Sequence, residues 1–333
     1  MRQIVALSLL LCAVAAEAAV PEAPPPWAYG FKDPAPAPVA GAPPPVPAPI
    51  ATAAQPDPRL HGLPGTTRQF TRAQIGDRFA PADWFPGDHP VMPAIVANGK
   101  RPDVWACALC HYPNGHGRPE NAPISGLPVN YFVTQMHAFR DGTRKSADAR
   151  KANTAIMAAI AKGMTDAEIL ESANYYAAIK SGPWIRVVET STVPETTTSV
   201  GLFLPIAGGK QEPIGNRIIE VPEDVEAVEV LRNPRIGFIA YVPVGSVDRG
   251  AAIVTSGRGT IQPCGLCHGS DLKGMGDVPA IAGRSPSYLM RQMVDIKAHT
   301  RTGPGADLML PAVDAMNNAD LLAVAAFVAS LSP

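Results

Sequence analysis

The chain has 333 residues, enough for two or three domains, and a net charge of −1 that excludes the large monopole expected of a nucleic-acid or anionic-membrane binder. Only five cysteines are present, which excludes a disulfide-stapled scaffold of this size.

Residues 1–18 read as a secretory signal peptide. Arg2 is the charged start, 4–16 form an apolar run too short to span a bilayer, and Ala16-Glu17-Ala18 is a small-x-small cleavage site. Export to the periplasm follows as an expectation. Cys12 leaves with this segment; Leu11 before it is bulkier than a lipid-attachment signal accepts, so a lipoprotein is the weaker reading. Residues 19–66 form a Pro-rich extended arm, with runs at 24–26 and 43–45 and Pro34-Ala35-Pro36-Ala37-Pro38. Such composition favours polyproline-like backbone and builds no core alone. It favours a spacer, or a strap laid over the surface, above a docking segment anchored by Trp27, Tyr29 and Phe31.

The region 67–182 contains Cys107-Ala108-Leu109-Cys110-His111, and 246–333 contains Cys264-Gly265-Leu266-Cys267-His268. Cys-x-x-Cys-His is the attachment segment of c-type haem. Two cysteines on one helical turn can each form a thioether to a vinyl group, and the adjacent histidine then reaches the iron. Every cysteine except Cys12 is used here, so none remains for a disulfide, an iron–sulfur cluster or a thiolate ligand. A zinc or redox-dithiol reading would need further ligands or a thioredoxin-like context, and the histidine after each pair argues against it.

The two regions are repeats. Tyr131, Gln135 and Met136 are answered by Tyr288, Gln292 and Met293 at the same shift of 157 residues that relates Cys107 to Cys264. Pro123 is paired with Pro279, and Met157 and Met164 with Met309 and Met316, at shifts of 156 and 152. Each repeat is expected to run as a short helix, the haem segment, a Gly/Pro/Asn-rich loop, a middle helix near 130–140 or 287–297, and a last helix. Thr165 and Asn317 are the expected N-caps of the last helices, with acidic residues in the first turn. Between the repeats, 183–245 carries β-branched runs at 184–188, 217–221 and 238–242, which predict an irregular insert with short strands, a hairpin or a cover over one haem edge. The fold class expected is mainly α: two tandem haem-binding domains, this insert and the arm.

Each iron needs a sixth ligand. Met157 and Met309 are preferred, because a loop methionine can cross to the far side of the haem and its soft thioether suits reduced iron. The matched pairs Met136/Met293 and Met164/Met316 are the alternatives, and methionine is also common core filler. His116, His137 and His299 would give bis-histidine ligation, but none has a counterpart in the other repeat; His61 and His89 are assigned no role. Pro123 and Pro279 are expected to present a carbonyl to the proximal imidazole. Tyr131, Tyr288, Arg144 and Arg284 are candidates for neutralising haem propionates.

With its two Cys-x-x-Cys-His segments, Pro-x-x-Gly after the first, Tyr-x-x-x-Gln on each middle helix and a methionine before each acidic-capped last helix, the chain resembles the dihaem cytochrome c4 family over about 90–182 and 246–333. The resemblance implies tandem class I cytochrome c domains, two covalently bound haem c groups, each with His/Met ligation (His111 with Met157, His268 with Met309), and a periplasmic electron carrier. Its partners would be redox proteins: a dehydrogenase, an oxidase or another cytochrome. The expected role is to carry electrons from a dehydrogenase or quinol-oxidising complex to a terminal acceptor; the long arm and insert depart from that family and leave a dedicated subunit of one dehydrogenase as the alternative. No catalytic residues are expected. The rivals are a dihaem peroxidase, whose halves should differ at the distal position, and a sulfur-oxidising dihaem enzyme, which needs a cysteine ligand that the chain does not have to spare.

Overall fold

The last helix of each repeat starts where its cap places it. Thr165 Oγ1 accepts from Glu168 N while the Glu168 carboxylate accepts from Thr165 N, a reciprocal box that satisfies two otherwise unpaired donors. Asn317 Oδ1 accepts from Asp320 N at 2.9 Å in the second repeat. The computed structural model describes residues 22–34 and 57–333; the expected export segment and the 35–56 part of the arm lie outside the described residues.

In chain order, β1 (His61–Gly62) pairs antiparallel with β2 (Gln69–Phe70), and α1 (Arg72–Ile75) and α2 (Ala94–Ala97) lead to α3 (Cys107–His111). Then come α4 (Val129–Asp141), α5 (Ala152–Gly163) and α6 (Asp166–Ala177). Ile95, Val96, Phe132, Ile160, Ile169 and Tyr176 form their shared core.

The insert holds β3 (Ile185–Thr190), β4 (Thr192–Pro194), β5 (Thr196–Ser199), β6 (Leu202–Pro205), β7 (Gln211–Pro213), β8 (Ile219–Pro222) and β9 (Phe238–Pro243), with one π-helical turn at Glu226–Val230. The three apolar runs of the sequence become β3, β8 and β9. They form one sheet of order β3-β9-β8, parallel between β3 and β9 and antiparallel between β9 and β8. The hairpin lies elsewhere, between β5 and β6.

The second repeat has α7 (Ser246–Ser256), α8 (Gly265–His268), α9 (Pro286–Lys297), α10 (Pro304–Asp314) and α11 (Asn318–Ser330). α11 is apolar nearly all round because it is covered by α7, α9 and β3. At Gly250 α7 crosses α11 so closely that an added Cβ would lie 2.0 Å from Ala323 O. No single helix among the described residues is long and apolar enough to cross a membrane.

The described part of the arm is a strap, and its aromatics anchor it. Trp27, Ala28 and Tyr29 sit in a 3-10 turn buried in the core of the second repeat. Tyr29 Oη donates to Asp295 Oδ1 at 2.8 Å, and Arg291 Nη1 donates to Ala28 O at 2.7 Å. Lys32 Nζ reaches Thr196 O at 2.7 Å, and the Arg150 guanidinium lies 4.0 Å over the Phe31 ring. The strap therefore ties the second repeat, the insert and the segment before α5 together. Truncating a buried aromatic of this size leaves a cavity, so Trp27→Ala is expected to cost ~3–5 kcal/mol in urea unfolding. A loss within ~0.5 kcal/mol, the range of surface substitutions, would show that the strap is not part of the core.

Candidate cofactor site

One helical turn sets the geometry of the first site. α3 places Cys107, Cys110 and His111 at i, i+3 and i+4, on one face. His111 Nδ1 lies 2.8 Å from Ala122 O. A carbonyl only accepts, so Nδ1 carries the proton and Nε2 presents its lone pair. Burial pulls the His111 pKa down, which keeps the imidazole neutral, and pushes the Cys107 thiol up to about 11. The second site repeats the arrangement: His268 Nδ1 lies 2.9 Å from Pro279 O, and burial lowers that imidazole as well.

In both sites the acceptor is the residue eleven after the histidine. The pairing of Pro123 with Pro279 is therefore off by one residue. Ala122 is the equivalent of Pro279, and Pro123 O instead accepts from Arg284 Nη1 at 2.6 Å. The proline match in sequence concealed a one-residue difference in the loop.

A cleft opens in front of the first segment, with about 1280 Å³ of space free of atoms when the solvent at its mouth is included. Cys107, Cys110 and His111 line it, as do Met157 and the apolar side chains of Ile124, Leu127, Phe132 and Ile160. Met136 and Met164 line it too, so all three candidate methionines of the first repeat reach the same space. Met157 and Met309 sit within α5 and α10, not in loops as the sequence suggested. The Ala-rich run 152–163 has high helix propensity, and Pro304 at the first helical turn starts α10. Met309 packs half-buried against the second core, with Met316 buried beside it.

The histidine alternatives are held by other groups. His116 stacks on Trp184 with ring centroids 5.8 Å apart, His137 pairs with Asp166 at 3.2 Å, and His299 is exposed. His89 is bonded to Asp83, and His61 lies in β1.

The repeats meet through an exchanged set of side chains. Arg144 donates to Gln135 Oε1 in its own repeat (2.9 Å) and to Gln292 Oε1 (2.8 Å) and Tyr288 Oη (3.4 Å) in the other. Arg301 does the reverse, donating to Gln292 Oε1, Gln135 Oε1 and Tyr131 Oη, each at 3.0 Å. Backbone bonds from Lys145 N to Thr300 O (2.7 Å) and from Thr302 N to Thr143 O (2.9 Å) zip the two segments together. Arg301 is the counterpart of Arg144 at the 157-residue shift, and the sequence reading missed it. Arg284, grouped with Arg144 on sequence, has a different place: its guanidinium crosses into the loop of the first repeat, to Pro123 O and Ser125 O.

Charge balance at this junction tests whether a haem fits. Arg144, Arg284, Arg291 and Lys151 are all buried. The hydrogen bonds of the three arginines go to amides, a phenol and backbone carbonyls. The buried carboxylates have other partners: Glu120 with Arg118, Asp148 with Arg150, Asp295 with Tyr29 and Ala147 N, and Glu220 with Ser285 and Ser287. Buried cations without counter-ions are costly. A flat apolar group carrying carboxylates at one end would supply the missing anions, and the thiols that would bond its edge and the imidazole and thioether that would bind its metal line the same cleft. The residues fit haem.

The two sites differ in cover. Leu109, inside the first Cys-x-x-Cys, is 7% exposed, while its counterpart Leu266 is 62% exposed. The cover is the insert: Arg232 donates to Leu109 O, Asn114 Nδ2 to Pro234 O (2.9 Å), and Arg118 Nη1 to Glu229 Oε2 (3.2 Å). Arg232, Pro234 and Glu229 lie outside the repeats, so the internal comparison gave no signal for them.

No family model matches the chain. It is similar to a thiosulfate dehydrogenase electron acceptor of Thiomonas intermedia, 26% identical over 70% of this chain and 82% of that protein. It is similar to cytochrome c-554(548) of Halomonas halodenitrificans, 32% identical over 22% of this chain and 83% of that protein. Cytochrome c4 of Azotobacter vinelandii is 34% identical over 29% of this chain and 50% of that protein. Among solved structures, a thiosulfate dehydrogenase of Marichromatium purpuratum superposes with a TM-score of 0.44 and 24% identity, over 69% of this chain and 37% of that one. Cytochrome c4 of Acidithiobacillus ferrooxidans gives a TM-score of 0.44 and 20% identity, over 68% of this chain and 98% of that one.

Proposed function

The chain belongs to the c-type cytochromes, as a cytochrome c4-like electron-transfer protein with two covalently bound haem c groups, and we propose that it relays electrons in the periplasm from a dehydrogenase to a further acceptor. The observation that carries this reading is the doubled imidazole site, with the same carbonyl acceptor eleven residues on in both repeats.

In this reading, 67–182 and 246–333 are the two haem domains, 183–245 is the insert, and the signal at 1–18 leaves an arm at 19–66. Cys107 and Cys110 hold one haem by thioethers, and Cys264 and Cys267 the other. His111 and His268 would bind the irons through their Nε2 atoms, with Met157 and Met309 supplying the thioethers. Haem c supplies a one-electron ferric/ferrous couple when bound. The Ala122 and Pro279 carbonyls fix each imidazole in one orientation and raise its basicity. The apolar wall of Ile124, Leu127, Phe132 and Ile160 excludes water from the first cleft. The Tyr–Gln–Arg set at the junction holds the repeats in register. Were Met157 and Met309 to complete the coordination begun by His111 and His268, neither iron would offer a place to a substrate, which would separate a carrier from a peroxidase.

The first Cys-x-x-Cys is covered and the second is exposed, which favours the second repeat as the face that exchanges electrons with other proteins. The likeness to a thiosulfate dehydrogenase electron acceptor makes such a dehydrogenase the partner to try first. Anaerobic mixing of the ferric protein with a thiosulfate dehydrogenase and thiosulfate is expected to reduce both haems. No reduction would reject that partner, and rapid turnover of hydrogen peroxide by the reduced protein would reject the carrier.

A further inference from the structure

We propose that Lys151, a buried ammonium without a hydrogen-bond partner on the wall of the first cleft, is the counter-charge of a haem carboxylate there and makes the two haems unequal in potential. The inference rests on the assignment of the first haem to Cys107, Cys110 and His111.

Lys151 is 5% exposed and its Nζ has no hydrogen-bond partner. The side chain lines the cleft that holds Cys107, Cys110, His111 and Met157. An ammonium has three donors and no acceptor, so burying it with none satisfied is costly, more so than burying a neutral polar group. Burial, and after it the Arg291 charge, pushes the amine well below its usual pKa. The carboxylates nearest in charge terms are Glu120, Asp295 and Asp148. Glu120 is 2.5 Å from Arg118, Asp295 accepts from Tyr29 Oη and Ala147 N, and Asp148 is held by Arg150. None of them lies within the 4.0 Å of a salt bridge to Lys151 among the described residues.

Parts of the chain outside the repeats enclose this nitrogen. Val200 and Gly201, at φ of 50° and 86°, form the two-residue turn between β5 and β6. A Cβ on Gly201 would lie 3.0 Å from Lys151 Nζ, so glycine leaves the room the ammonium occupies. The strap closes from above: a Cβ on its Gly30 would be 2.3 Å from Gly201 O. Arm and insert thus keep Lys151 out of water, where its charge acts at low dielectric.

The second repeat has no such group. The 157-residue shift takes Lys151 to Leu308, which is 84% exposed. Between its junction arginine and its methionine the first repeat carries Lys145, Arg150 and Lys151 against Asp148, while the second carries Asp307 alone. A buried positive charge beside one haem favours the less positive, ferrous iron, so the first haem takes the higher potential and holds the electron when the protein is half-reduced.

Spectropotentiometric titration of the two-haem protein tests this, with Lys151→Met and Lys151→Gln as neutral variants and Lys151→Arg as the charge-retaining one. The higher step is expected to fall relative to the lower by at least tenfold in the equilibrium, 59 mV for one electron, in both neutral variants. The Arg variant should keep the wild-type separation. A smaller change in both neutral variants, with two haems still bound, would overturn the assignment. Failure of the underlying haem assignment would look different: fewer than two haems per chain before any lysine is changed, or a haem count indifferent to Cys107 and Cys110.

Discussion

Serine at both Cys107 and Cys110 is expected to bring the haem content down from two per chain to one. Neither thioether can then form, and the His111 imidazole alone must retain the group against washing. The junction makes the loss complete, because Arg144, Arg291 and Lys151 stay buried without the carboxylates that would balance them, and the first repeat opens to hydrate them. The second repeat should keep its haem, since its core is built from α7, α9, α11, the insert and the strap. Serine at Cys264 and Cys267 should give the mirror result. Haem counted against protein, with proteolysis to report which repeat has loosened, checks both. A count of two in either variant would contradict the attachment sites.

The methionine variants carry the second large effect. Met157→Ala and Met309→Ala should each remove about half of the far-red sulfur-to-iron absorption, lower the potential of one haem and admit an external ligand such as imidazole to one iron. Met164→Ala is the informative control, because Met164 lines the same cleft and is more deeply buried than Met157. Its loss should create a cavity and cost stability, at ~2–5 kcal/mol for a buried Met→Ala, while the band stays. A band lost in Met164→Ala and kept in Met157→Ala would reassign the ligand.

What could be read in the sequence is what the chain repeats. The Cys-x-x-Cys-His pairs, the capped last helices and the Tyr-x-x-x-Gln segments all recur, and each sits where its recurrence placed it. Features that are not repeated, or only almost repeated, were hidden. A parallel β3–β9 pair joins strands more than forty residues apart, and no local period announces it. The carbonyl at Ala122 escaped because the matching residue in the second repeat is a proline and the first repeat's proline is one place later. Arg301 had its signal, a shift equal to that of the cysteines, but charged residues draw attention by cluster rather than by offset. The strap shows the opposite limit. Proline content predicts no core made by the arm itself, yet among the described residues two aromatics, Trp27 and Tyr29, are enough to bury the turn at Pro26–Tyr29 in another part of the chain.

The account depends on a chain that seals two metals on both faces and lets only electrons through. Anaerobic titration of the purified holoprotein with dithionite, followed by carbon monoxide, tests that directly. Uptake of two electrons per chain and a ferrous spectrum untouched by carbon monoxide are predicted. Fewer than two electrons, or carbon monoxide bound at either iron, would contradict it.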